Sequence, residues 1–218
     1  VIAVPNSGYT FSSWSDGVLT ASRTDTNVTA NKSVSASFTA VTVSVIANPT
    51  AYNSSPSTNV SFAYTPSTNT GSTECQLLDS VSTALTTYTS AASPIVYASP
   101  STGGNFGYYI RCRNSTHTTI TATSALITVT NIPVTPAAPT ATASTCGTGT
   151  INVSWATVTG ATSYDLRDGT TIISAANTGT SYSHTGLTAS SSHSYTVRAK
   201  NAGGDSAYST ATARTAPA

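Results

Sequence analysis

Residues that could act as acids, bases or metal ligands are few in this 218-residue chain and are spread along it. Of the seven acidic residues only Glu74 is a glutamate, and the three histidines are His117, His184 and His193. General acid–base catalysis and metal binding both need such groups side by side. The histidines do not have the spacing of a zinc motif, so we interpret each as a loop or structural residue. The sequence therefore predicts no metal site.

The sequence gives equally weak support for a calcium site, a serine nucleophile or an isopeptide bond. Three aspartates could be imagined as a calcium cluster, but they lack the EF-hand spacing: Asp165, Asp168 and Asp205. The abundant serines lack the glycine-flanked elbow that presents a nucleophile. Lys32 and Lys200 could form isopeptide bonds only if they were buried beside an asparagine and a carboxylate, and we expect both to face solvent. We predict no catalytic residue and no cofactor, and we do not expect an enzyme.

Composition indicates an all-β protein. Charged residues make up only 7% of the chain and methionine is absent, while Ser, Thr, Val, Ile and Tyr are plentiful. β-Branched and aromatic side chains favour strands. The net charge of +1 comes without a basic cluster, which argues against nucleic-acid binding. No apolar run approaches the ~20 residues of a bilayer-spanning helix, so we expect no membrane insertion in this segment.

Changes in composition divide the chain into modules. Turn-rich or Pro/Ala/Thr-rich joints near residue 40 and at residues 132–139 predict a short unit at 1–40, a β-sandwich at 41–131, a linker, and a second β-sandwich at 140–218. In the last unit, alternate residues from 151 to 155 and from 195 to 199 are apolar, which is the pattern of strands with one buried face. Between them, Asp168-Gly169 predicts a two-residue type I′ hairpin turn with positive φ at both residues. We also expect the chain to be part of a longer protein.

The last unit resembles a fibronectin type III domain from about residue 139 to 217. The resemblance rests on residues 151–155 (INVSW), 160–164 (GATSY), 186–188 (GLT) and 195–204 (YTVRAKNAGG). It implies two packed sheets with Trp155 between them, and core positions for Tyr164, Leu187 and Tyr195. His193 stands six residues after Leu187, where the family usually has a corner tyrosine. A neutral imidazole could donate the corner hydrogen bond, and a pH switch is the alternative; we favour the structural role because the sequence shows no metal ligand beside it.

The middle unit resembles bacterial immunoglobulin-like domains, through residues 75–78 (CQLL) and 108–114 (YYIRCRN). Tyr108 shares a strand face with Ile110 and Cys112, so Cys112 is directed to the core. The resemblance implies a Cys75–Cys112 disulfide, and two buried thiols are the alternative. Because Cys75 departs from the usual position, the bridge could join neighbouring strands rather than the two sheets. Cys146 is expected to be a buried free thiol, or else to pair with another chain.

The first unit resembles the second half of an internalin-type B-repeat, through residues 4–17 (VPNSGYTFSSWSDG) and 27–38 (NVTANKSVSASF). The resemblance implies a partial β-grasp-like module whose opening strands are missing from this chain. Trp14 is expected to be a core residue, but forty residues cannot be expected to bury Tyr9, Phe11 and Trp14 alone. The covering strands would come from upstream sequence, which we favour, from the adjacent domain, or from a neighbouring molecule, where strand exchange would build a filament.

Two functions are compatible with these modules. In the first, the chain is a non-catalytic structural or adhesive segment of a bacterial extracellular surface protein, stalk or filament. Its partners would be further modules or neighbouring copies of the same protein, and host or environmental glycans or proteins. In the second, the modules are spacers or carbohydrate-binding accessories of a secreted polysaccharide-degrading enzyme. We favour the first, and both predict an extracellular location.

Overall fold

The fold is all-β, as predicted. A computed structural model describes residues 1–90, 93–145 and 147–218, and every regular element in these ranges is a strand. The strands of the first half are β1 (Tyr9–Trp14), β2 (Ala36–Ala40), β3 (Val43–Ala47), β4 (Ala51–Ser54), β5 (Asn59–Phe62), β6 (Tyr64–Thr68), β7 (Thr73–Asp79), β8 (Thr89–Ser90), β9 (Ile95–Ala98) and β10 (Gly104–Asn114). The strands of the second half are β11 (Thr121–Thr123), β12 (Ile127–Asn131), β13 (Thr140–Ala143), β14 (Ile151–Ser154), β15 (Ser163–Asp168), β16 (Thr171–Asn177), β17 (Ser181–His184), β18 (Ser192–Asn201), β19 (Gly204–Asp205) and β20 (Thr212–Thr215). In the described ranges no helix has the length and hydropathy needed to cross a bilayer.

The chain forms two compact units. The first consists of Val1–Pro49, Phe62–Ile95 and Tyr108–Leu126, and the second of Thr50–Ser61, Val96–Gly107 and Ile127–Ala218. The module boundaries predicted at residue 40 and at 132–139 stay predictions.

The first unit begins with the β1–β2 hairpin. These strands pair antiparallel, with Phe11 opposite Phe38 and Trp14 opposite Ala36. The register shifts between Phe11 and Ser13. This bulge lets the side chains of Phe11 and Trp14 lie on the same face of the strand, where their rings are in contact. Trp14, expected to be a core residue, is only 5% exposed. Phe11 is half-buried and Tyr9 is exposed.

The rest of the first unit is a strand pair and a larger sheet. β3 pairs antiparallel with β6, while β7 lies between β8 and the segment of β10 that starts at Tyr108. β11 pairs with the other edge of this segment. The buried core of this part of the first unit consists of side chains that are at most 5% exposed: Phe62, Tyr64, Cys75, Leu77, Leu78, Tyr108, Ile110 and Cys112. The Phe62 and Tyr108 rings pack with centroids 5.1 Å apart.

In the second unit, residues 140–218 form a sandwich of two sheets. One sheet has the order β13-β14-β17, and the other has the order β16-β15-β18-β19, with β20 also paired to β18. The inward faces carry the nine buried residues of the core: Ile151, Val153, Trp155, Tyr164, Leu166, Tyr195, Val197, Ala199 and Ala216. The predicted alternation in β14 and β18 is therefore present, because every second side chain faces the opposite sheet.

The β15–β16 hairpin differs from its prediction. Asp168 pairs with Thr171, so the two turn residues are Gly169 and Thr170. Gly169 has a φ of 54°, whereas neither Asp168 nor Thr170 has positive φ. A turn with positive φ only at its first central residue is of the II′ kind, in which that residue is glycine. The shift makes Asp168 the last residue of β15.

Candidate functional site

Three ionisable side chains meet at one end of the last sandwich. Asp168 ends β15, His184 ends β17 and His193 is the second residue of β18, so both sheets contribute. One possible ligand atom from each lies within 4.8 Å of the others, and all three residues are half-buried. The two imidazole rings meet edge to face with centroids 5.4 Å apart.

Hydrogen bonds fix each member of this group. His193 Nδ1 lies 2.6 Å from Asp168 Oδ2, and its Nε2 lies 2.7 Å from Ser191 Oγ. The other carboxylate oxygen of Asp168 accepts a bond from the Ser194 N–H at 2.9 Å. His184 Nδ1 lies 2.9 Å from the hydroxyl of the fully buried Tyr195. Asp168 and His193 are therefore each held through two atoms, and His184 is held through Nδ1.

The electrostatics follow from burial and from these bonds. Burial opposes ionisation of Asp168, but the bonds from His193 and from the Ser194 N–H outweigh it, so the pKa of this carboxyl lies below its usual range. Burial lowers the pKa of His184, and the Asp168 charge offsets only part of that effect. Burial, assisted by the negative charge of Asp168, raises the pKa of Tyr195 to about 12. The site combines an anionic carboxylate with an imidazole that favours its neutral form.

The structure brings two of the three histidines together, although the sequence showed no metal ligand beside His193. His184 and His193 lie nine positions apart on different sheets, a spacing that no metal motif has. Folding brings them together because β17 ends and β18 begins at this edge of the sandwich. Asp168 joins them through the hairpin. His117, in contrast, is a loop residue, and its backbone N–H donates to Asn114 Oδ1.

The other aspartates of the last module bind cations of the protein itself. Asp165 is 2% exposed and accepts bonds from Arg198 and from Lys200. Arg198 also pairs with Asp205 at 2.9 Å. Burial would raise the pKa of Asp165, but the Ala176 N–H, Arg198 and Lys200 together lower it. Lys200 therefore has a carboxylate partner in place of the solvent-facing position expected for it.

A second ionic group lies in the first 42 residues. The Arg23 guanidinium bonds both oxygens of Asp16 and both oxygens of Asp25 at 2.6 to 3.1 Å. Lys32, which is partly exposed, lies within salt-bridge distance of both aspartates. Arg23 also stacks 5.1 Å from the centre of the Trp14 ring, whose Nε1–H donates to the Thr20 carbonyl. The ion-paired guanidinium of Arg23 thus covers the Trp14 ring.

Cys75 and Cys112 are disulfide-bonded and fully buried in the structure. They face each other across the paired strands β7 and β10, with Cα atoms 4.1 Å apart. The bond joins neighbouring strands, as the position of Cys75 suggested, and it closes a loop with a sequence separation of 37. The prediction for Cys146 concerns a position outside the described residues.

The sequence around the predicted linker is tightly packed within the second unit. The Asn201 side-chain amide donates to the carbonyls of Asn131 and Gly160, at 2.7 and 3.0 Å. Gly160 lies directly against the Gly103 backbone, and a Cβ at Gly160 would be 2.2 Å from the Gly103 carbonyl carbon. We call this contact region of Gly103, Asn131, Gly160 and Asn201 the joint. It joins strands assigned to the middle module with the last module through backbone contacts.

The other residues predicted to be structural occupy core or near-core positions. Trp155 and Tyr164 pack with ring centroids 5.7 Å apart, and the Tyr164 hydroxyl accepts a bond from the Val158 N–H. Tyr195 is fully buried, and Leu187 is half-buried against the same core. His193 lies at the edge of this core, with its ring stacked on Tyr195 at 6.2 Å.

Comparisons with known proteins assign the first part of the chain. Residues 1–42 match the family model of the divergent InlB B-repeat domain, which confirms the resemblance predicted for residues 1–40. No curated protein matches the chain. Similar solved structures include one described as FN3tt mut (22% identity, TM-score 0.31, 37% of this chain and 94% of that chain). Others are the FN1–FN3 domains of chicken CNTN1 (14%, 0.39, 80% and 64%) and the fibronectin(III)-like modules of Clostridium thermocellum CbhA (12%, 0.36, 79% and 94%).

Proposed function

We propose that this chain is a non-catalytic spacer segment of an extracellular bacterial surface protein, in which β-modules in series connect a cell to an attachment target. The observation that carries this proposal is the joint. A spacer keeps a fixed direction only if its modules do not rotate relative to one another, and flexible linkers allow such rotation. Here the Gly103 and Gly160 backbones touch, and Asn201 bonds the chain on either side of them.

Two further observations support an extracellular setting. The B-repeat match covers residues 1–42. The buried Cys75–Cys112 disulfide fits an oxidising compartment, since thiols in the cytosol are normally kept reduced. Low charge and abundant Ser and Thr are compatible with both an extracellular and a cytosolic protein, so they do not distinguish the two locations.

The location is tested on intact cells of the source organism. Antibodies against residues 1–218 should label unpermeabilised cells, and brief protease treatment should remove the label. A cytosolic enzyme serves as the control that must stay hidden. Antigen detected only after lysis would exclude the extracellular proposal.

The attachment role is tested with beads that carry the folded chain. Beads should adhere to host-cell or environmental surfaces more than beads carrying the chain with its disulfide reduced and alkylated. Retention of the soluble chain by insoluble cellulose, chitin or xylan, without such adhesion, would favour the accessory-module alternative. Failure in both assays, together with surface labelling, would leave the chain a spacer without adhesive function.

A further inference from the structure

The group of Asp168, His184 and His193 has the composition of a transition-metal site. Two imidazoles and one carboxylate are ligands that Zn²⁺ binds, whereas Ca²⁺ and Mg²⁺ prefer all-oxygen sets. Their ligand atoms lie within 4.8 Å of one another. In a tetrahedral zinc site with bonds of about 2.0 to 2.1 Å, ligand atoms are about 3.3 Å apart. Rotation of half-buried side chains can close this difference without movement of the strands.

The hydrogen-bond partners of Asp168 and His184 would orient them as metal ligands. Metal-binding histidines usually donate their second ring N–H to a nearby oxygen, which orients the ring. For His184 that oxygen is the Tyr195 hydroxyl at Nδ1, and the tautomer that donates there presents the Nε2 lone pair. Asp168 has its Oδ1 occupied by the Ser194 N–H, which leaves Oδ2 as the ligand atom.

His193 is oriented in the same way from its other nitrogen. The Ser191 hydroxyl donates its one proton to the Thr188 carbonyl at 2.6 Å, so toward His193 Nε2 it is an acceptor. Nε2 therefore carries a hydrogen, and Nδ1 is the atom directed at Asp168. Nδ1 lies 2.6 Å from Asp168 Oδ2. A metal ion bound by both atoms would take the place of the hydrogen bond between them.

We propose that Asp168, His184 and His193 form a site for one divalent transition-metal ion with the ligand preferences of Zn²⁺. A water molecule would complete the coordination. Because β17 belongs to one sheet and β15 and β18 to the other, the ion links the two sheets. Its role is structural, and it does not depend on the proposed function of the whole chain.

The test uses residues 1–218 with Cys146→Ser, to remove the third cysteine as a ligand, and with any affinity tag cleaved. Isothermal titration with ZnCl₂ at pH 7.5 should give one site per chain. The melting temperature of the last module should rise by at least about 5 °C when free Zn²⁺ exceeds Kd a hundredfold. Titration with Co²⁺ should give the visible absorption of a four-coordinate ion.

Variants assign the ligands. Asp168→Asn retains an acceptor for the Ser194 N–H, and His184→Gln retains a polar partner for Tyr195. Each should weaken Zn²⁺ binding at least about a hundredfold and abolish the thermal shift. His117→Gln, which changes the loop histidine, is the matched control and should bind as the parent does.

Several results would overturn the proposal. One is the absence of a saturable Zn²⁺ site tighter than millimolar in the parent protein. Another is undiminished binding in both Asp168→Asn and His184→Gln, provided that circular dichroism shows each to be folded. Loss of binding in His117→Gln would indicate adventitious coordination. If one ligand variant does not fold, the other decides.

Discussion

The first 42 residues and the last module each bury a tryptophan, but they cover it with different kinds of side chain. The last module packs nine buried residues between two sheets, including Trp155 and Tyr195. The first 42 residues bury few apolar side chains, and all four of their charged residues join one ionic group over Trp14: Asp16, Arg23, Asp25 and Lys32. In this segment an ionic group covers the tryptophan, whereas the last module covers its own tryptophan with apolar side chains. A short segment can hold a tryptophan by placing a paired guanidinium on it.

The largest effect is expected from a substitution in the apolar core of the last module. Trp155→Ala should destabilise the last module by about 3 to 5 kcal/mol, because it leaves a cavity at the centre of the core. Calorimetry should show that module's transition lowered, while the transition of the middle module keeps its midpoint. Ile172→Ala, at a 44% exposed position of the same module, is the control and should change little. Equal destabilisation of both modules would mean that they do not own separate cores.

Covalent cross-linking gives the next effect. Non-reducing mass spectrometry should recover Cys75 linked to Cys112, and reduction should destabilise the middle module by about 3 to 4 kcal/mol through the loop that the bond closes. Cys146→Ser in the background prevents exchange with the third cysteine. Alkylation of both cysteines without prior reduction, in protein from the source organism, would contradict an oxidised extracellular module.

Gly160 of the joint can be compared with Gly186, which lies outside the joint. Gly160 and Gly186 both have positive φ, but only at Gly160 would a Cβ meet the backbone. Gly186→Ala should cost about 1 kcal/mol from strain alone, and Gly160→Ala about 1 to 3 kcal/mol more. Small-angle scattering should also show a broader range of dimensions for Gly160→Ala. Equal costs and identical scattering would show that the close contact is not a constraint.

The smallest effect concerns the ionic side of the comparison. The Arg23 bonds lower the pKa of Asp16, and they bring that of Asp25 to about 2. Since both carboxyls bind protons more weakly when folded, their stabilisation is complete above about pH 4 and is lost as the pH falls toward 2. Hydrogen exchange in residues 1–42 should accelerate in this window.

Two variants separate the guanidinium from the ammonium. Arg23→Gln should make cleavage within residues 1–42 by a protease about tenfold faster at neutral pH, because two aspartates lose their shared partner. Lys32→Ala should have less effect, since this side chain is 44% exposed. An unchanged cleavage rate in Arg23→Gln would show that Trp14 is held by other contacts.

Sequence patterns predicted the features that depend on local repetition. Alternation identified the buried faces of β14 and β18, and Cys112 lies on the core face shared with Tyr108 and Ile110. They did not predict features that depend on where strands end. The turn at Gly169–Thr170 is shifted by one residue from the expected position. The meeting of His184 with His193 requires the end of a strand in one sheet to lie beside the start of a strand in the other. The ionic group around Arg23 was not predicted, because its members are irregularly spaced along residues 16–32.

The most direct test of the spacer proposal is to pull residues 1–218 by their ends in a single-molecule force experiment. The proposal predicts separate unfolding events for the middle and last modules. Because the disulfide shields a loop with a sequence separation of 37 from the force, reduction should lengthen the middle event by about 130 Å at 3.3 to 3.6 Å per residue, and leave the last event unchanged. Unfolding at negligible force, or a single event whose length does not respond to reduction, would contradict the account.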